Sequence, residues 1–212
     1  MLLFFNTKAI AAPDSEPIFF VSWQASSYAP AEFSGKRLPS IGTPIAASLE
    51  ALGGGRVMDI SREIIYWYLG DDLIESGVGA QKIFFRPTSG GIKKLRVVVG
   101  GGSGSPDVSV SIPVVNPEAV IVAPTTNGKF GDQKIRILAK PYFFNVSSLE
   151  NLRFTWRVNN QQPNDLKDPG LLDISLGKDV ANNSFLNIVL GIENSSNPDE
   201  AATKIMSLVF VK

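Results

Sequence analysis

Carboxylates are the residues of this sequence that could carry chemistry, because its 212 residues include neither histidine nor cysteine. A Ser-His-Asp or Cys-His catalytic arrangement is excluded, since its base is missing. Disulfides, thiolate nucleophiles and Cys/His zinc sites are excluded as well. The function classes that remain need only carboxylates, hydroxyls, aromatic rings or backbone groups.

Two acidic groups could offer oxygen ligands to calcium. They are Asp71, Asp72 and Glu75 in the first half of the chain, and Asp165, Asp168 and Asp173 in the second half. Calcium usually requires converging oxygens from a tight motif such as Asp-x-Asp-x-Asp-Gly, which does not occur here. Solvated loop carboxylates are the ordinary interpretation, so we expect no cofactor and keep calcium as the alternative. A pair of carboxylates could also hydrolyse a glycoside, but no pattern places two of them across a cleft, and we expect a protein that is not an enzyme.

A glycine-rich stretch at 100–104 has the composition of a phosphate-binding loop. Such a loop must open a helix, whose first amides hold the phosphate. The residues that follow, 108–112, alternate as Val-Ser-Val-Ser-Ile and therefore predict a strand. A hairpin turn is the better interpretation, and the same holds for the glycines at 53–55.

Charge and hydropathy narrow the possible partners. Lys+Arg and Asp+Glu both number 20, so the net charge is zero and no basic run suggests nucleic acid or an anionic membrane surface. The 44% hydrophobic content is enough for a buried core. No segment approaches the ~20 apolar residues of a membrane span.

The first 16 residues predict export. Met1 to Phe5 are apolar, and Ala9-Ile10-Ala11 fits the small-x-small rule of signal peptidase. We interpret 1–16 as the remnant of a signal peptide, with an ordinary first strand or a frayed terminus as the alternative. An extracytoplasmic location follows: secreted, on the cell surface or periplasmic. An exported domain without cysteine further suggests a bacterial source.

One strand pattern occurs twice, around Trp67 and Trp156, which are 89 residues apart. The second copy alternates strictly, with Leu152, Phe154, Trp156 and Val158 on one face and charged or polar residues on the other. Strand-like segments upstream and downstream keep the same order around both tryptophans. We therefore expect both rings to mark the cores of two similar modules.

Short apolar segments recur about every ten residues between Gly, Pro, Asn and Asp turns, which is typical of β-sandwiches. The predicted fold is all-β, with two tandem immunoglobulin-like sandwiches at 17–114 and 117–212. A short linker with two prolines, 113–117, separates them.

The outer face of the first tryptophan strand is unusually aromatic. If Trp67 points inward, Ile64, Tyr66 and Tyr68 point outward, and they form a candidate interaction surface. Tyr28 and Phe33 lie on a predicted extended loop at 23–40, and we count them with this surface. The alternative is that the loop folds over the aromatic strand and buries it.

The order of strands and turns around Trp67 and Trp156 resembles the polycystic-kidney-disease-like (PKD-like) branch of immunoglobulin-like domains. The 23–40 loop and the Ala-Lys-Pro-Tyr-Phe-Phe stretch at 139–144 are similar to an uncharacterised group of tandem PKD-like exported proteins of candidate-phylum bacteria. The resemblance covers nearly all of the chain after residue 17. It implies the fold, but it carries no activity.

These observations predict a non-catalytic, extracytoplasmic structural, scaffold or adhesive protein. Its two modules would act as a spacer or as a subunit of a cell-envelope or appendage assembly. Envelope proteins or further copies of the chain are the expected partners. The alternative is a carbohydrate-binding or adhesin module that uses its exposed aromatic residues to hold glycans.

Overall fold

The computed structural model describes residues 16–102, 104–164, 166 and 168–212. Within this part the chain forms β-strands and one short 3-10 turn, Leu149–Asn151. The all-β prediction is confirmed, with several sheets of the kind found in immunoglobulin-like β-sandwich domains. The strands are β1 (Ile18–Ala25), β2 (Ile45–Gly53), β3 (Arg56–Val57), β4 (Ile64–Leu69), β5 (Asp72–Val78), β6 (Lys82–Phe85), β7 (Gly91–Val99), β8 (Asp107–Val114), β9 (Glu118–Val122), β10 (Lys129–Phe130), β11 (Lys134–Tyr142), β12 (Leu152–Val158), β13 (Leu171–Ser175), β14 (Ser184–Asn194) and β15 (Asn197–Phe210).

The chain divides into two compact units. The first unit contains the described residues up to Ser22, with Ala47–Ile83 and Lys94–Val110. The second unit contains Trp23–Ala46, Phe84–Lys93 and Ser111–Lys212. The sandwich boundary at 113–117 stays a prediction. The predicted signal-peptide remnant lies outside the described residues, except for Glu16 at its end.

The second unit contains a complete sandwich. One sheet has the order β10-β15-β14-β12 and the other has the order β13-β11-β9. Alternate residues of both sheets point inward and form one apolar core. Trp156 on β12, Ile188 and Leu190 on β14, and Ile137 on β11 are nearly inaccessible within it. The seven strands of these two sheets thus bury a core that no single sheet could bury alone.

Two further sheets have the orders β5-β4-β7-β8 and β1-β2-β3, with β6 also paired to β2. Trp67 on β4 lies opposite Val97 on β7, and Ile65 lies opposite Val99. These four side chains are buried, because alternate residues of adjacent strands share a face. The inward half of the first tryptophan strand is therefore fixed by packing.

Two local predictions differ from the structure. The sequence predicts a turn that begins at Asp71-Asp72 and a connection that ends at Gly77-Val78-Gly79, yet Asp72–Val78 forms β5, paired along β4. A register shift next to Trp67 breaks its alternation, which hides the strand from a period-two pattern. The loop predicted from residue 23 also begins later, since β1 continues to Ala25 and buries Trp23.

No helix of the described chain has the length and apolar content needed to cross a bilayer.

Candidate interaction surface

The two tryptophans are held in the same way. The indole N–H of Trp67 donates to the carbonyl of Ala80 at 2.7 Å, and that of Trp156 donates to the carbonyl of Pro169 at 2.9 Å. In both copies the acceptor lies 13 residues after the ring. A buried ring with a satisfied N–H has little freedom to turn, so the rest of each strand is held in a fixed orientation.

The outer face of β4 carries the predicted residues Ile64, Tyr66 and Tyr68. Ile64 is 42% exposed, and both tyrosines are half-buried. The edge strand β5 adds Val78 opposite Ile64 and Leu73 opposite Tyr68. These two are 68% and 53% exposed. We call Ile64, Tyr66, Tyr68, Leu73 and Val78 the aromatic face.

Leu73 and Val78 are functional candidates that the sequence reasoning missed. Their segment contains Glu75, Ser76 and Gly77, which weaken its strand character. Because of the register shift, Leu73 and the next outward residue, Ser76, are three positions apart rather than two. A sequence search that allows one bulge would place Leu73, Ser76 and Val78 on the same face.

A cation lies over one ring of the aromatic face. Arg96 on β7 is opposite Tyr68, and its guanidinium carbon is 4.2 Å from the ring centroid. The same guanidinium contacts Asp107 on β8 at 3.3 Å. The cation–π contact covers one side of the Tyr68 ring and orients it. A ligand that stacks on that side would have to displace Arg96.

Tyr28 and Phe33, which were counted with the aromatic face, take part in the packing of the second unit. The backbone N–H of Tyr28 donates to the carbonyl of Phe144, and the carbonyl of Tyr28 accepts from the N–H of Phe143, both at 2.7 Å. The Phe33 ring meets Tyr142 and Phe143 edge-on, with centroids 5.5 and 5.7 Å apart. Burial raises the pKa of the Tyr28 hydroxyl. Both residues therefore hold the 26–44 segment in place.

This attachment involves a strained residue. Phe143 has a φ of 62°, in the left-handed region that residues other than glycine and asparagine rarely adopt. The turn directs its N–H to Tyr28 and its ring to Phe33. An ion pair between Lys140 and Glu32 lies beside it and holds the pKa of Glu32 below its usual value.

A buried carboxylate, Glu200, forms a second attachment in the same unit. It is 7% exposed and accepts from the Ser40 hydroxyl at 2.6 Å and the Asn145 N–H at 2.7 Å. Its other oxygen accepts from the Asn194 side chain at 2.6 Å. Thr43 supports Ser40 through hydroxyl and backbone hydrogen bonds. We call these five residues the Glu200 cluster.

The Glu200 cluster borders a cavity of about 260 Å³. The residues that line it are Ser40, Ile41, Val115, Asn116, Pro117, Asn197, Asp199 and Glu200. Both oxygens of Glu200 are occupied by neutral donors of the protein, so this carboxylate is committed to structure. Sequence reasoning had no signal for it, because its partners come from distant parts of the chain.

The acidic residues considered for calcium are dispersed or engaged. Asp173 forms a two-bonded ion pair with Arg136, at 2.8 and 3.0 Å, which lowers the pKa of Asp173. Asp168 accepts from the N–H of Gly170 at 2.8 Å. Asp165 lies outside the described residues. Among those described, no three or more acidic side chains are grouped as metal ligands.

Comparisons with known proteins found similarity only to solved structures. No family model matches the chain, and no curated protein matches it. Among solved structures it is similar to the fibronectin(III)-like modules of CbhA from Clostridium thermocellum, at 16% identity, covering 91% of this chain and 94% of that chain with a TM-score of 0.30.

Two further structures have comparable similarity. Three N-terminal domains of the highly immunogenic outer capsid protein of bacteriophage RB49 match at 13% identity, over 91% of this chain and 59% of theirs, with a TM-score of 0.42. The Bacteroides ovatus protein SGBP-B, solved with a mixed-linkage heptasaccharide, matches at 12% identity over 90% of this chain and 47% of its own, with a TM-score of 0.27. The chain thus spans about half the length of these two proteins, and the similarity concerns the fold alone.

Proposed function

We propose that this chain is a non-catalytic structural or adhesive module of the bacterial cell envelope, which works outside the cytoplasm and binds a protein partner through the aromatic face. One observation carries the proposal: Ile64, Tyr66, Tyr68, Leu73 and Val78 lie on the same face of two paired strands, where only Ser76 opposite Tyr66 is polar. The resemblance of the sequence to exported PKD-like proteins of candidate-phylum bacteria supports a location outside the cytoplasm.

The chemistry of the aromatic face favours a protein partner. Tyrosine is enriched at the centres of protein interfaces, where its ring loses water and its hydroxyl keeps a hydrogen bond. Leu73 and Val78 widen the patch with aliphatic area, which suits a flat protein surface. The neighbouring pair of Arg96 and Asp107 supplies a polar rim.

A glycan is the second candidate, because sugars stack on exposed aromatic rings. Tyr66 and Tyr68 lie two residues apart on one face, as a glycan platform requires. Arg96 already covers one side of the Tyr68 ring, which counts against this role. We therefore place glycan binding second.

The test immobilises the full chain and exposes it to an envelope fraction of its native cells. We expect the wild type to capture a defined envelope protein with saturable affinity. The double variant Tyr66→Ala/Tyr68→Ala should lose this binding. Its matched control, Thr155→Ala/Arg157→Ala, changes the equivalent positions on either side of Trp156 and should retain it.

Other outcomes would replace the proposal. Saturable binding to a glycan array, lost in the same tyrosine variant, would establish the second candidate. Turnover in a screen of hydrolytic substrates would show that the chain is an enzyme. The intact mass of the protein from its native cells tests the location: a mature chain starting near Ala12 or Pro13 outside the cytoplasm is expected, and a full-length cytosolic chain contradicts export.

A further inference from the structure

A cavity in the second unit is lined by two cations. It has a volume of about 360 Å³, and the described residues that line it are Gln24, Ala25, Lys36 and Arg37. Gln24 and Ala25 carry no charge, so these four residues contribute two positive charges and no negative one. The volume lies within the range of small-molecule binding sites. We call this site the basic cavity.

The first cation, Lys36, is held against a buried ring. Its ammonium nitrogen lies 3.5 Å from the centroid of the Trp23 ring, and Trp23 is only 6% exposed. The cation–π attraction restrains the long lysine side chain. Burial also lowers the pKa of Lys36, because the ammonium has lost part of its hydration. A partly dehydrated cation gains more from a nearby anion than a fully hydrated one does.

The backbone that carries both cations is anchored on either side of them. On one side, Gly35 lies so close to the Phe33 ring that an added Cβ would be 2.6 Å from a ring atom. On the other side, the buried hydroxyl of Ser27 donates to the carbonyl of Leu38 at 2.8 Å. Residues 36–37 are therefore held in place before any ligand arrives, which reduces the entropy lost on binding.

Neither cation is neutralised within the part of the chain that the structure describes. The ion pairs found there include neither Lys36 nor Arg37. Glu32, the acidic residue four positions before Lys36, is already paired with Lys140. Two like charges that line one cavity repel each other, and an anion between them replaces this repulsion with two attractions. The basic cavity is therefore suited to an anionic ligand.

We propose that the basic cavity binds a small molecule through one compact oxyanion, a carboxylate or phosphate group, held between Lys36 and Arg37. The planar fork of an arginine matches two oxygens of either group, and the lysine ammonium adds a point charge with three donors. The space beside Gln24 and Ala25 receives the uncharged part of the ligand. This inference goes beyond the proposed function and does not use the aromatic face.

Nuclear magnetic resonance of the isotope-labelled full chain tests the proposal. The probes are inorganic phosphate, glucuronate as a carboxylate source, and methyl glucoside as a neutral sugar, all titrated at constant ionic strength. We expect at least one of the two anions to give saturable shifts of the Trp23 indole N–H and the Arg37 side-chain N–H. The anion that binds more tightly identifies the oxyanion. Methyl glucoside should give no shift, because it carries no charge.

Three variants assign the binding to the two cations. Lys36→Gln and Arg37→Gln should each raise the dissociation constant at least about tenfold, which corresponds to about 1.4 kcal/mol for a lost charged hydrogen bond. Arg37→Gln keeps the contact between Lys36 and Trp23, so its loss of affinity cannot come from a displaced ring. Lys178→Gln removes the same charge from an exposed site of the second unit and should bind as the wild type does.

Three results would overturn the proposal. The first is a wild type whose Trp23 and Arg37 signals do not shift, or shift without saturation, with both anions. The second is an equal response to methyl glucoside, which would show that charge is not recognised. The third is a loss of affinity in Lys178→Gln as large as in Lys36→Gln and Arg37→Gln, which would assign the binding to overall charge.

Discussion

The strands around Trp67 and Trp156 share their inner side and differ on their outer side. Inside, each ring is buried and donates to a carbonyl 13 residues later. Outside, the first strand carries Tyr66 and Tyr68, whereas the second carries Thr155 and Arg157 at the same positions relative to its ring. Both cores require this inner arrangement, because the N–H of a buried indole needs a hydrogen-bond acceptor. Packing of the core sets no such requirement on the outer positions. The tyrosines found there are therefore best explained by the proposed binding role.

The two units also differ in what they bury. In the described part of the chain, every buried residue of the first unit is apolar or alanine. The buried polar residues, which include Ser40, Asn194 and Glu200, all belong to the second unit. Apolar contacts have no preferred direction and can form with many neighbours. A buried carboxylate, in contrast, needs hydrogen-bond donors at fixed positions. The second unit is therefore the more specifically assembled of the two.

The largest expected effect tests the shared inner side. Trp67→Ala and Trp156→Ala should each destabilise the unit that contains the ring by about 3–5 kcal/mol, because each opens a large cavity and leaves a carbonyl without its donor. Denaturant unfolding followed by the remaining tryptophans measures the change. A cost several-fold smaller for one ring would show that the two copies are not equivalent in their cores.

The next effect tests the buried carboxylate. Glu200→Ala should cost about 2–4 kcal/mol, because it leaves buried donors of Ser40, Asn145 and Asn194 without an acceptor. Hydrogen exchange should show faster exchange at amides of the 26–44 segment. Asp199→Asn, at the exposed neighbour, is the matched control and should stay within about 0.5 kcal/mol of wild type. Equal exchange rates in the two variants would contradict the attachment role.

A glycine pair tests how the carbonyl acceptor of Trp67 is positioned. Gly79 precedes Ala80, has a φ of 67°, and an added Cβ would lie 2.5 Å from the Ser61 carbonyl oxygen. Gly70 has a similar φ of 65°, but nothing lies within 4 Å of its added Cβ. We expect Gly70→Ala to cost about 1 kcal/mol and Gly79→Ala about 2–4 kcal/mol, both measured by urea unfolding. Similar losses of unfolding free energy in the two variants would mean that the backbone near Ser61 can move to accommodate the added Cβ.

The smallest effect concerns the exposed pair of Arg136 and Asp173. The pKa of Asp173 is lowered, chiefly by its hydrogen bonds from Arg136, so the pair stabilises the fold above the ordinary Asp pKa. This contribution is lost as the pH falls through the lowered pKa of the folded state. The Asp173→Asn variant should therefore differ slightly from wild type in its urea midpoint at neutral pH, and the difference should vanish in strong acid. A difference that grows on acidification would contradict this assignment.

Much of the fold could be predicted from local sequence. Alternation around Trp156 and glycine turns between short apolar runs predict an all-β chain, because both depend only on neighbouring residues. The paired asparagines at 159 and 160 illustrate this: both adopt positive φ in the tight turn after Val158. Strand β5 could not be predicted, since its register shift interrupts the period that reveals a strand.

The candidate site was only partly predictable. Ile64, Tyr66 and Tyr68 follow from the alternation of one strand, whereas Leu73 and Val78 depend on how a second strand is paired. Tyr28 and Phe33 pack against residues more than 100 positions away, so nothing near them in sequence reveals their partners. The same reason hides the Glu200 cluster.

The bond between Ser40 and Glu200 joins residues 160 positions apart. During synthesis, the 26–44 segment emerges long before the residues that fasten it, and at about 5–20 residues per second the delay is about 8–32 seconds. The final attachment therefore waits for the last hairpin, β14 and β15. A nascent chain that stalls before Asn194 would lack the Asn194 and Glu200 side chains that hold the 26–44 segment. Synthesis and folding of the C-terminal hairpin therefore complete this part of the fold.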